Sequence, residues 1–438
     1  MKTSKGLLAL SPLVLFMIVY LLSSVVAGDF YKVPVSAVFM LCTFYSFFIG
    51  KGSIKEKIAV FSSGAGNSNI LLMIWIFVLA GAFAGTAKDI GSVEATVHAT
   101  LSVVPASMLY AGLFLTSCFI SMAVGTSVGT IVALAPIATG LAAECGSSVP
   151  FMLAIVVGGA FFGDNLSFIS DTTIASTQAA GCEMKDKFRT NIVIIAPAVV
   201  IVTAIYLVLG SGVSSAPAAQ PVNVVKLLPY LLVILLALTG RNVLMILSIG
   251  IALNALIGFI CGDFSWSGWL VSIGNGIAGM SDLIIVTMLA GGLLAMIRNS
   301  GGLDFLMERL TARISGRRGA QASMALLVCL ANFCTANNTI AIITTGPIVK
   351  DISDKFGIAP RKTASILDTF SGFVQGIIPY GAQLLIASGL AGITPLSIIP
   401  YLYYPFILGI VALINIFLHY EEIFHRHAAS VHAGSMHP

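Results

Sequence analysis

Two acidic residues lie close together in an otherwise apolar stretch, and carboxylates at this spacing could bind a cation or a proton. Asp164 stands in the tripeptide GDN, and Asp171 follows seven residues later in the tetrapeptide SDTT. On a continuous helix, residues seven apart lie on one face, two turns from each other. The intervening Gly163, Ser167 and Ser170 favour a break or an unwound turn, which would leave free backbone carbonyls beside the carboxylates.

These side chains form an environment of hard oxygen ligands. Oxygen-only ligation suits Na⁺ or another hard cation far better than a transition metal. A carboxylate that has lost its water favours its protonated form, so it can also exchange a proton near neutral pH. One carboxylate that holds either Na⁺ or H⁺ is the minimum machinery for cation/proton exchange. The predicted cation- and proton-binding residues are Asp164, Asn165, Ser167, Ser170, Asp171, Thr172, Thr173 and Asp368.

The other charged residues point to the same acids by elimination. Of the 18 acidic residues, only Asp164, Asp171 and Asp368 lie well within apolar segments. An ionisable residue at the centre of a bilayer costs several kcal/mol and is a functional-site hypothesis by default. No Lys or Arg is predicted to neutralise these acids, because Lys187 and Arg189 are assigned to a cytoplasmic loop. For Asp368, a helix cap or a buried pair with a neighbouring hydroxyl is the alternative.

Composition defines the elements that must hold these residues. Of 438 residues, 58% are hydrophobic and 9% are charged, whereas a soluble chain carries roughly 25% charged residues. Apolar runs of about 20 residues, long enough to cross a bilayer as helices, recur along the chain. The run at 6–26 is too long for a signal peptide and is predicted to be the first of several transmembrane helices. The fold class is therefore an all-α polytopic membrane protein, with the lipid bilayer as its surroundings.

Other classes of function find little support. In such a protein the net charge of +4 reports orientation in the membrane, so no nucleic-acid partner is predicted. The seven cysteines are scattered, which predicts neither a zinc site nor a disulfide framework. No catalytic triad, phosphate loop or nucleotide fingerprint appears, so the chain is predicted not to be an enzyme and to need no cofactor.

The chain contains an internal repeat. The tripeptide LAG at 79–81 recurs at 289–291, and API at 135–137 is matched by GPI at 346–348. Matches in register over such a distance indicate two copies of one structural unit. The predicted organisation is a cytoplasmic amino terminus at 1–5, repeat 1 at 6–210, a linker at 211–221, repeat 2 at 222–418 and a polar tail at 419–438.

Loop charges predict that the two copies have opposite orientations. Lys51 and Lys57 place the loop after the second span in the cytoplasm with the amino terminus, while the loop near Glu144 lacks basic residues and is predicted outside. In the second copy the predicted sides of the loops are reversed, because Arg317 and Arg318 lie in a segment whose counterpart in the first copy is predicted to be outside. Inverted repeats are typical of secondary transporters, whose sites lie at the repeat interface near the midplane. Both termini are predicted to be cytoplasmic.

Chain length predicts a re-entrant hairpin in the second copy. Only about 30 residues separate Arg318 from Lys350, and two full crossings would need roughly 40. The polar run CTANNT lies at the tip, and GTSVGT at 125–130 is its counterpart, whose hairpin could re-enter or cross. Such side chains sometimes only join helices, but here they are predicted to bind substrate or ion. They are Thr126, Ser127, Thr130, Thr335, Asn337, Asn338 and Thr339.

The stretch of the second copy that corresponds to the acidic block carries no acid. Its sequence is QGIIPYGAQ at 375–383, in which Gln383 stands where Thr172 stands. Its glycines and proline predict a broken helix. The predicted ligands from this broken helix are the neutral residues Gln375, Tyr380 and Gln383.

The acidic block resembles the signature of the NhaC-type Na⁺/H⁺ antiporter family. The resemblance rests on GDNLS and ISDTT within 163–173, and LAGAFA at 79–84 and IPYGAQ at 378–383 extend it over most of the chain. It implies an ion-transporter type of fold with paired re-entrant hairpins, often dimeric. It also implies cation-coupled exchange across a bacterial inner membrane.

The resemblance leaves a second substrate class open. Relatives exchange organic acids, such as malate for lactate, or amino acids, which need a fixed cation or a helix N-terminus to meet the carboxylate. The lack of a mid-membrane Lys or Arg favours small cations, although half-helix N-termini at the hairpin tips could serve an anion. The sequence therefore predicts a Na⁺/H⁺ antiporter, with a cation-coupled organic-acid or amino-acid carrier as the alternative and a passive channel as a third hypothesis.

Overall fold

The computed structural model describes residues 3–27, 34–167, 170–212, 223–239, 241–311, 314 and 316–418. The predicted tail at 419–438, positions 213–221 of the predicted linker, Met1 and Lys2 of the amino terminus, and Ile169 of the acidic block lie outside these residues.

All regular elements of the described residues are helical. The first half contains α1 (Thr3–Ala27), α2 (Val35–Ile49), α3 (Ile54–Ala65), α4 (Ser68–Asp89), α5 (Ser92–Val103), α6 (Leu109–Val124), α7 (Ser127–Glu144), α8 (Val149–Leu166), α9 (Asp171–Ala180) and α10 (Met184–Gly210). The second half contains α11 (Val224–Leu238), α12 (Val243–Cys261), α13 (Trp266–Gly279), α14 (Ser281–Asn299), α15 (Gly302–Thr311), α16 (Gly316–Thr335), α17 (Asn338–Lys355), α18 (Pro360–Ile377), α19 (Ala382–Ala391), α20 (Pro395–Ile398) and α21 (Tyr403–Leu418).

Several helices can cross a membrane. In the described part of the chain, seven are long and apolar enough, or up to nine if each of two bent helix pairs is one span. Two of the candidate spans, Val149–Ala180 and Pro360–Ala391, are interrupted in the middle. The predicted all-α polytopic fold with broken helices is confirmed.

The two halves use the same helix order and exchange packing partners. Helices α7, α8 and α9 begin at 127, 149 and 171, and α17, α18 and α19 begin 211 residues later, at 338, 360 and 382. Helix α3 packs on α14 while α13 packs on α4, and α9 packs on α17 while α19 packs on α7. An approximate two-fold axis between two copies of one unit produces such an exchange. The interrupted spans meet at the interface of the halves, where α8 and α9 both contact α18.

Two glycine crossings allow the outer helices to approach closely. Gly81 of α4 faces Gly276 of α13, and Gly64 of α3 faces Gly291 of α14. A Cβ atom at Gly276 would overlap the carbonyl oxygen of Gly81, and one at Gly64 would overlap that of Gly291. Helices in lipid gain little from apolar burial against each other, so close backbone contact at small residues contributes much of their association.

Substitution of Gly276 by alanine is expected to destabilise the protein, because the new methyl group forces α4 and α13 apart. Overpacking of this kind costs about 1–3 kcal/mol. Gly274→Ala is the matched control on the same helix, because a Cβ atom there meets nothing within 4 Å. Thermal unfolding of the detergent-solubilised variants measures the difference. Equal melting temperatures for the two variants would show that the crossing does not hold the helices.

Candidate functional site

The break between α8 and α9 is closed by hydrogen bonds to the last carbonyls of α8. The final carbonyl groups of a helix have no partner within it and must find one elsewhere. The carbonyl oxygen of Asp164 accepts bonds from Ser170 Oγ at 2.9 Å and Thr172 Oγ1 at 3.0 Å. That of Asn165 accepts from Lys187 Nζ at 2.8 Å and Asn191 Nδ2 at 2.9 Å. The expectation of free carbonyls beside the carboxylates is therefore wrong, because nearby donors occupy both oxygens.

The first hairpin consists of α6 and α7, and its tip is the turn between them. The carboxylate of Asp164 caps the N-terminus of α7 at this tip. Its Oδ1 accepts a bond from the backbone N–H of Ser127 at 2.9 Å, and its Oδ2 accepts one from the Ser127 hydroxyl at 2.6 Å. A negative charge at this position is stabilised by the positive end of the helix dipole. Asp164 is only 6% exposed, so these two donors replace the water that the carboxylate has lost.

A chain of hydrogen bonds connects Asp164 to the tip of the second hairpin, which consists of α16 and α17. The Ser127 hydroxyl accepts a bond from Gln383 Nε2 at 3.0 Å, and Gln383 Oε1 accepts one from Gln375 Nε2 at 2.9 Å. Gln375 Nε2 also donates to the carbonyl oxygen of Ala336 at 3.1 Å. Ala336 adopts a left-handed conformation with φ of 50°. The chain thus joins the two hairpin tips across the interface of the halves.

Lys187 neutralises Asp368, which the sequence-based prediction did not anticipate. Its Nζ lies 2.9 Å from Asp368 Oδ2, and neither side chain is exposed. The same ammonium group donates to the Asn165 carbonyl and to Thr173 Oγ1 at 2.7 Å. The prediction that no basic side chain neutralises the buried acids is therefore wrong. Lys187 lies in the first turn of α10, and from there its long side chain reaches inward to Asp368.

Two amides complete the surroundings of Asp368. Its Oδ2 also accepts bonds from Asn191 Nδ2 at 2.8 Å and Asn165 Nδ2 at 3.2 Å. The neighbouring hydroxyl of Thr369 bonds instead to a carbonyl of its own helix. Asp368 thus belongs to a buried pair, as the alternative interpretation predicts, but its partner is Lys187 and not a neighbouring hydroxyl group. The four-residue spacing of Lys187 and Asn191, which places both on one face of α10, is the sequence signal for this cluster.

Asp171 is not part of the hydrogen-bonded cluster. It is the first residue of α9, it is exposed, and its side chain forms no hydrogen bond with another described residue. Its negative charge lies at the positive end of the α9 dipole. Of the two acids that the sequence pairs, Asp164 is therefore enclosed and Asp171 is accessible.

The remaining predicted residues mostly bond within their own hairpins. Thr130 donates to the carbonyl of Thr126 inside the first hairpin. In the second, the Thr335 hydroxyl bonds to the Asn337 carbonyl, and the Asn337 side chain caps α17. The other contacts in this group are the Asn338 side chain to the Thr339 N–H and the Tyr380 hydroxyl to the Phe333 carbonyl. Ser167 is buried at the end of α8.

The described residues contain no cluster of three His, Cys, Asp or Glu side chains that could hold a metal ion. The described residues that are hydrogen-bonded at the interface supply carboxylates, hydroxyls, amides and the ammonium group of Lys187. Such a set can bind and release a hard cation or a proton.

Comparison with known proteins shows what this chain is similar to. Residues 6–211 and 218–420 match the sequence profile of the Na⁺/H⁺ antiporter family. The chain is 23% identical over 379 residues to the malate-2H⁺/Na⁺-lactate antiporter of Bacillus subtilis, covering 78% of this chain and 80% of that protein. It is 24% identical over 385 residues to the Na⁺/H⁺ antiporter NhaC of Bacillus subtilis, covering 79% and 82%. The solved YdaH transporter of Alcanivorax borkumensis aligns with 82% of this chain and 86% of its own, with a TM-score of 0.41 and 16% identity.

Replacement of Lys187 by methionine is expected to lower the free energy of unfolding by about 3–5 kcal/mol, because the carboxylate of Asp368 is left buried without its cation. The double variant Lys187→Met/Asp368→Asn removes both charges and should recover most of that loss. Lys350→Met, which breaks the exposed pair of Lys350 with Asp354, is the control and should cost about 0–1 kcal/mol. Unfolding of detergent-solubilised protein by SDS measures all three. A double variant no more stable than Lys187→Met would contradict the pairing.

Proposed function

The chain belongs to the Na⁺/H⁺ antiporter family, and from this premise we propose that it exchanges Na⁺ for H⁺ through Asp164 and Asp171. The transported ions are Na⁺ and H⁺, and the reaction needs no cofactor. The observation that carries the proposal is the carboxylate of Asp164, which is enclosed between the halves and forms no ion pair with a basic side chain of the described residues. Lys187, which donates a hydrogen bond to the carbonyl of the adjacent residue Asn165, is already paired with Asp368.

Competition between the two ions for Asp164 supplies the exchange. A carboxylate that binds a proton loses its negative charge and cannot hold Na⁺ at the same time. Ion release on one side therefore depends on binding of the other ion. Asp171, accessible at the start of α9, is proposed to receive the cation from water and to share it with Asp164.

The hydrogen bonds of Ser127 link the state of Asp164 to the first hairpin. An ionised carboxylate accepts stronger hydrogen bonds than a neutral carboxyl group. Protonation of Asp164 therefore weakens the two hydrogen bonds that it accepts from the backbone N–H and the hydroxyl of Ser127. In this proposal the α7 tip loosens when the proton binds and tightens when the carboxylate is charged. The link through Gln383 passes the change to the second half.

The remaining features of the proposal follow from the family resemblance and the loop charges. The chain is a multi-pass membrane protein, and we place it in a bacterial inner membrane with both termini in the cytoplasm. Dimer formation is part of the same proposal. Inverted repeats that rock against each other around a central site would expose Asp164 to each side in turn.

The substitutions Asp164→Asn and Asp171→Asn are each expected to abolish Na⁺-dependent proton movement. An amide does not ionise, so Na⁺ and H⁺ cannot compete for it. Everted vesicles loaded with a pH-sensitive dye report this exchange as a recovery of fluorescence when Na⁺ is added. Asp351→Asn, which removes an exposed acid of α17 outside the cluster, is the control and should exchange at the normal rate. Normal exchange by Asp164→Asn would disprove the proposed mechanism, and normal exchange by Asp171→Asn would remove that residue from it.

A further inference from the structure

The same hydrogen bond joins each hairpin to the interrupted span of its own half. In the first half, Ser121 Oγ of α6 donates to the carbonyl oxygen of Ala160 of α8 at 2.5 Å. In the second half, Asn332 Nδ2 of α16 donates to the carbonyl oxygen of Ser371 of α18 at 2.7 Å. The second pair of positions is the first pair plus 211, which is also the offset between α7–α9 and α17–α19. The two hairpins therefore dock on equivalent positions of their spans.

The hydrogen bonds at the two hairpin tips differ. The offset of 211 makes Asn338 and Gln375 the counterparts of Ser127 and Asp164. Ser127 donates its hydroxyl to Asp164 Oδ2 at 2.6 Å. By contrast, Asn338 Nδ2 has no acceptor and Gln375 Oε1 has no donor among the described residues, although the two residues are only 7% and 2% exposed. Nearly all buried polar groups in proteins form hydrogen bonds, so this donor and this acceptor call for a partner.

The unpaired groups of Asn338 and Gln375 are complementary. Asn338 Oδ1 already accepts the backbone N–H of Thr339 at 3.1 Å. Gln375 Nε2 already donates to the Ala336 carbonyl and to Gln383. An amide group can use both of its ends at once, so a bond from Asn338 Nδ2 to Gln375 Oε1 would need only atoms that are unpaired in this structure. Such a bond would reproduce in the second half the contact that closes the first.

The second hairpin borders an open space and is predicted to enter the membrane from the cytoplasm. A cavity of about 730 Å³ is lined by residues 334–337 and Ile340 of this hairpin and by residues of α3, α4 and α14. Close packing opposes the movement of a segment, and the cavity leaves this side of the tip without packed neighbours. Arg317 near the start of the hairpin and Lys350 near its end predict a cytoplasmic entry. Movement of this tip would therefore open or close the cytoplasmic side.

We propose that this structure is one of two states of the exchanger, and that Asn338 Nδ2 donates to Gln375 Oε1 in the other state. There the second hairpin is closed on the cytoplasmic side, while Ser127 releases Asp164 toward the outside. Inverted repeats that rock around a central site allow each half to adopt the arrangement of the other. Asn338 and Gln375 are positioning residues for the exchange, and their role rests on the Na⁺/H⁺ exchange proposed above.

Asn338→Ala tests the proposal, because it removes the donor and so destabilises only the outward-facing state. Apparent affinity falls in proportion to the fraction of the protein in the competent state. The half-saturating Na⁺ concentration at the outer face, divided by that at the cytoplasmic face, should therefore rise about two- to tenfold, as for loss of one neutral hydrogen bond. Proton movement in right-side-out and everted vesicles measures the two concentrations. A role in folding alone would lower the maximal rate and leave this ratio unchanged.

Two further variants of α17 serve as controls. Asn338→Ser keeps a donor of the kind that Ser127 supplies in the first half, and Thr345→Val removes a hydroxyl that is bonded within the helix. Both should keep the ratio of the unaltered protein. If the melting temperature shows that Asn338→Ala does not fold, Asn338→Asp repeats the test, because it keeps the oxygen that accepts from Thr339 and lacks the donor.

The outcomes separate this proposal from the proposed function. An unchanged ratio in Asn338→Ala, or an equal rise in Thr345→Val, would overturn the role of Asn338 while Na⁺/H⁺ exchange by the unaltered protein stands. Absence of Na⁺-dependent proton movement by the unaltered protein would refute both proposals.

Discussion

The requirement that every backbone group at a helix break find a partner governs the centre of this protein. An apolar interior supplies no water, so the carbonyls at the end of α8 and the N–H groups at the start of α7 must be satisfied by the chain itself. Asp164 serves both breaks, since its side chain caps α7 while its own carbonyl accepts the hydroxyls of Ser170 and Thr172. The acid that the exchange would use is therefore also the residue that holds two interrupted helices together.

Electroneutrality is the second constraint at the interface. Asp368 and Lys187 are both fully buried and lie in contact, and each would be costly without the other. Their pairing leaves Asp164 as the enclosed acid whose charge is not balanced by a basic side chain of the described network. A cation or a proton can balance that charge, whereas at Asp368 the ammonium group already does so. In the proposed mechanism, this pairing makes Asp368 a structural acid and leaves Asp164 as the acid that exchanges ions.

The broad architecture and the enclosed acid were predictable from the sequence, whereas the role of each polar side chain was not. Apolar runs, glycines and the proline at 379 predict helices and breaks by local rules. The direction of the Lys187 side chain depends on tertiary packing, because a lysine at a helix start can reach outward to water or inward to a carboxylate. Likewise, Ser170 and Thr172 have the oxygens of cation ligands, yet here they donate to a helix end. Sequence spacing does not distinguish these uses.

The chain of hydrogen bonds between the hairpin tips has a direction. Gln375 donates to Gln383, Gln383 donates to Ser127, and Ser127 donates to Asp164. Every dipole in the series therefore points its hydrogen toward the one carboxylate at its end, and aligned hydrogen bonds polarise and strengthen one another. Gln383 and Ser127 suit the intermediate positions, because an amide and a hydroxyl group can each accept one hydrogen bond and donate another. The direction of the hydrogen bonds that Gln375 and Gln383 of the second half donate is therefore set by the carboxylate of Asp164 in the first half.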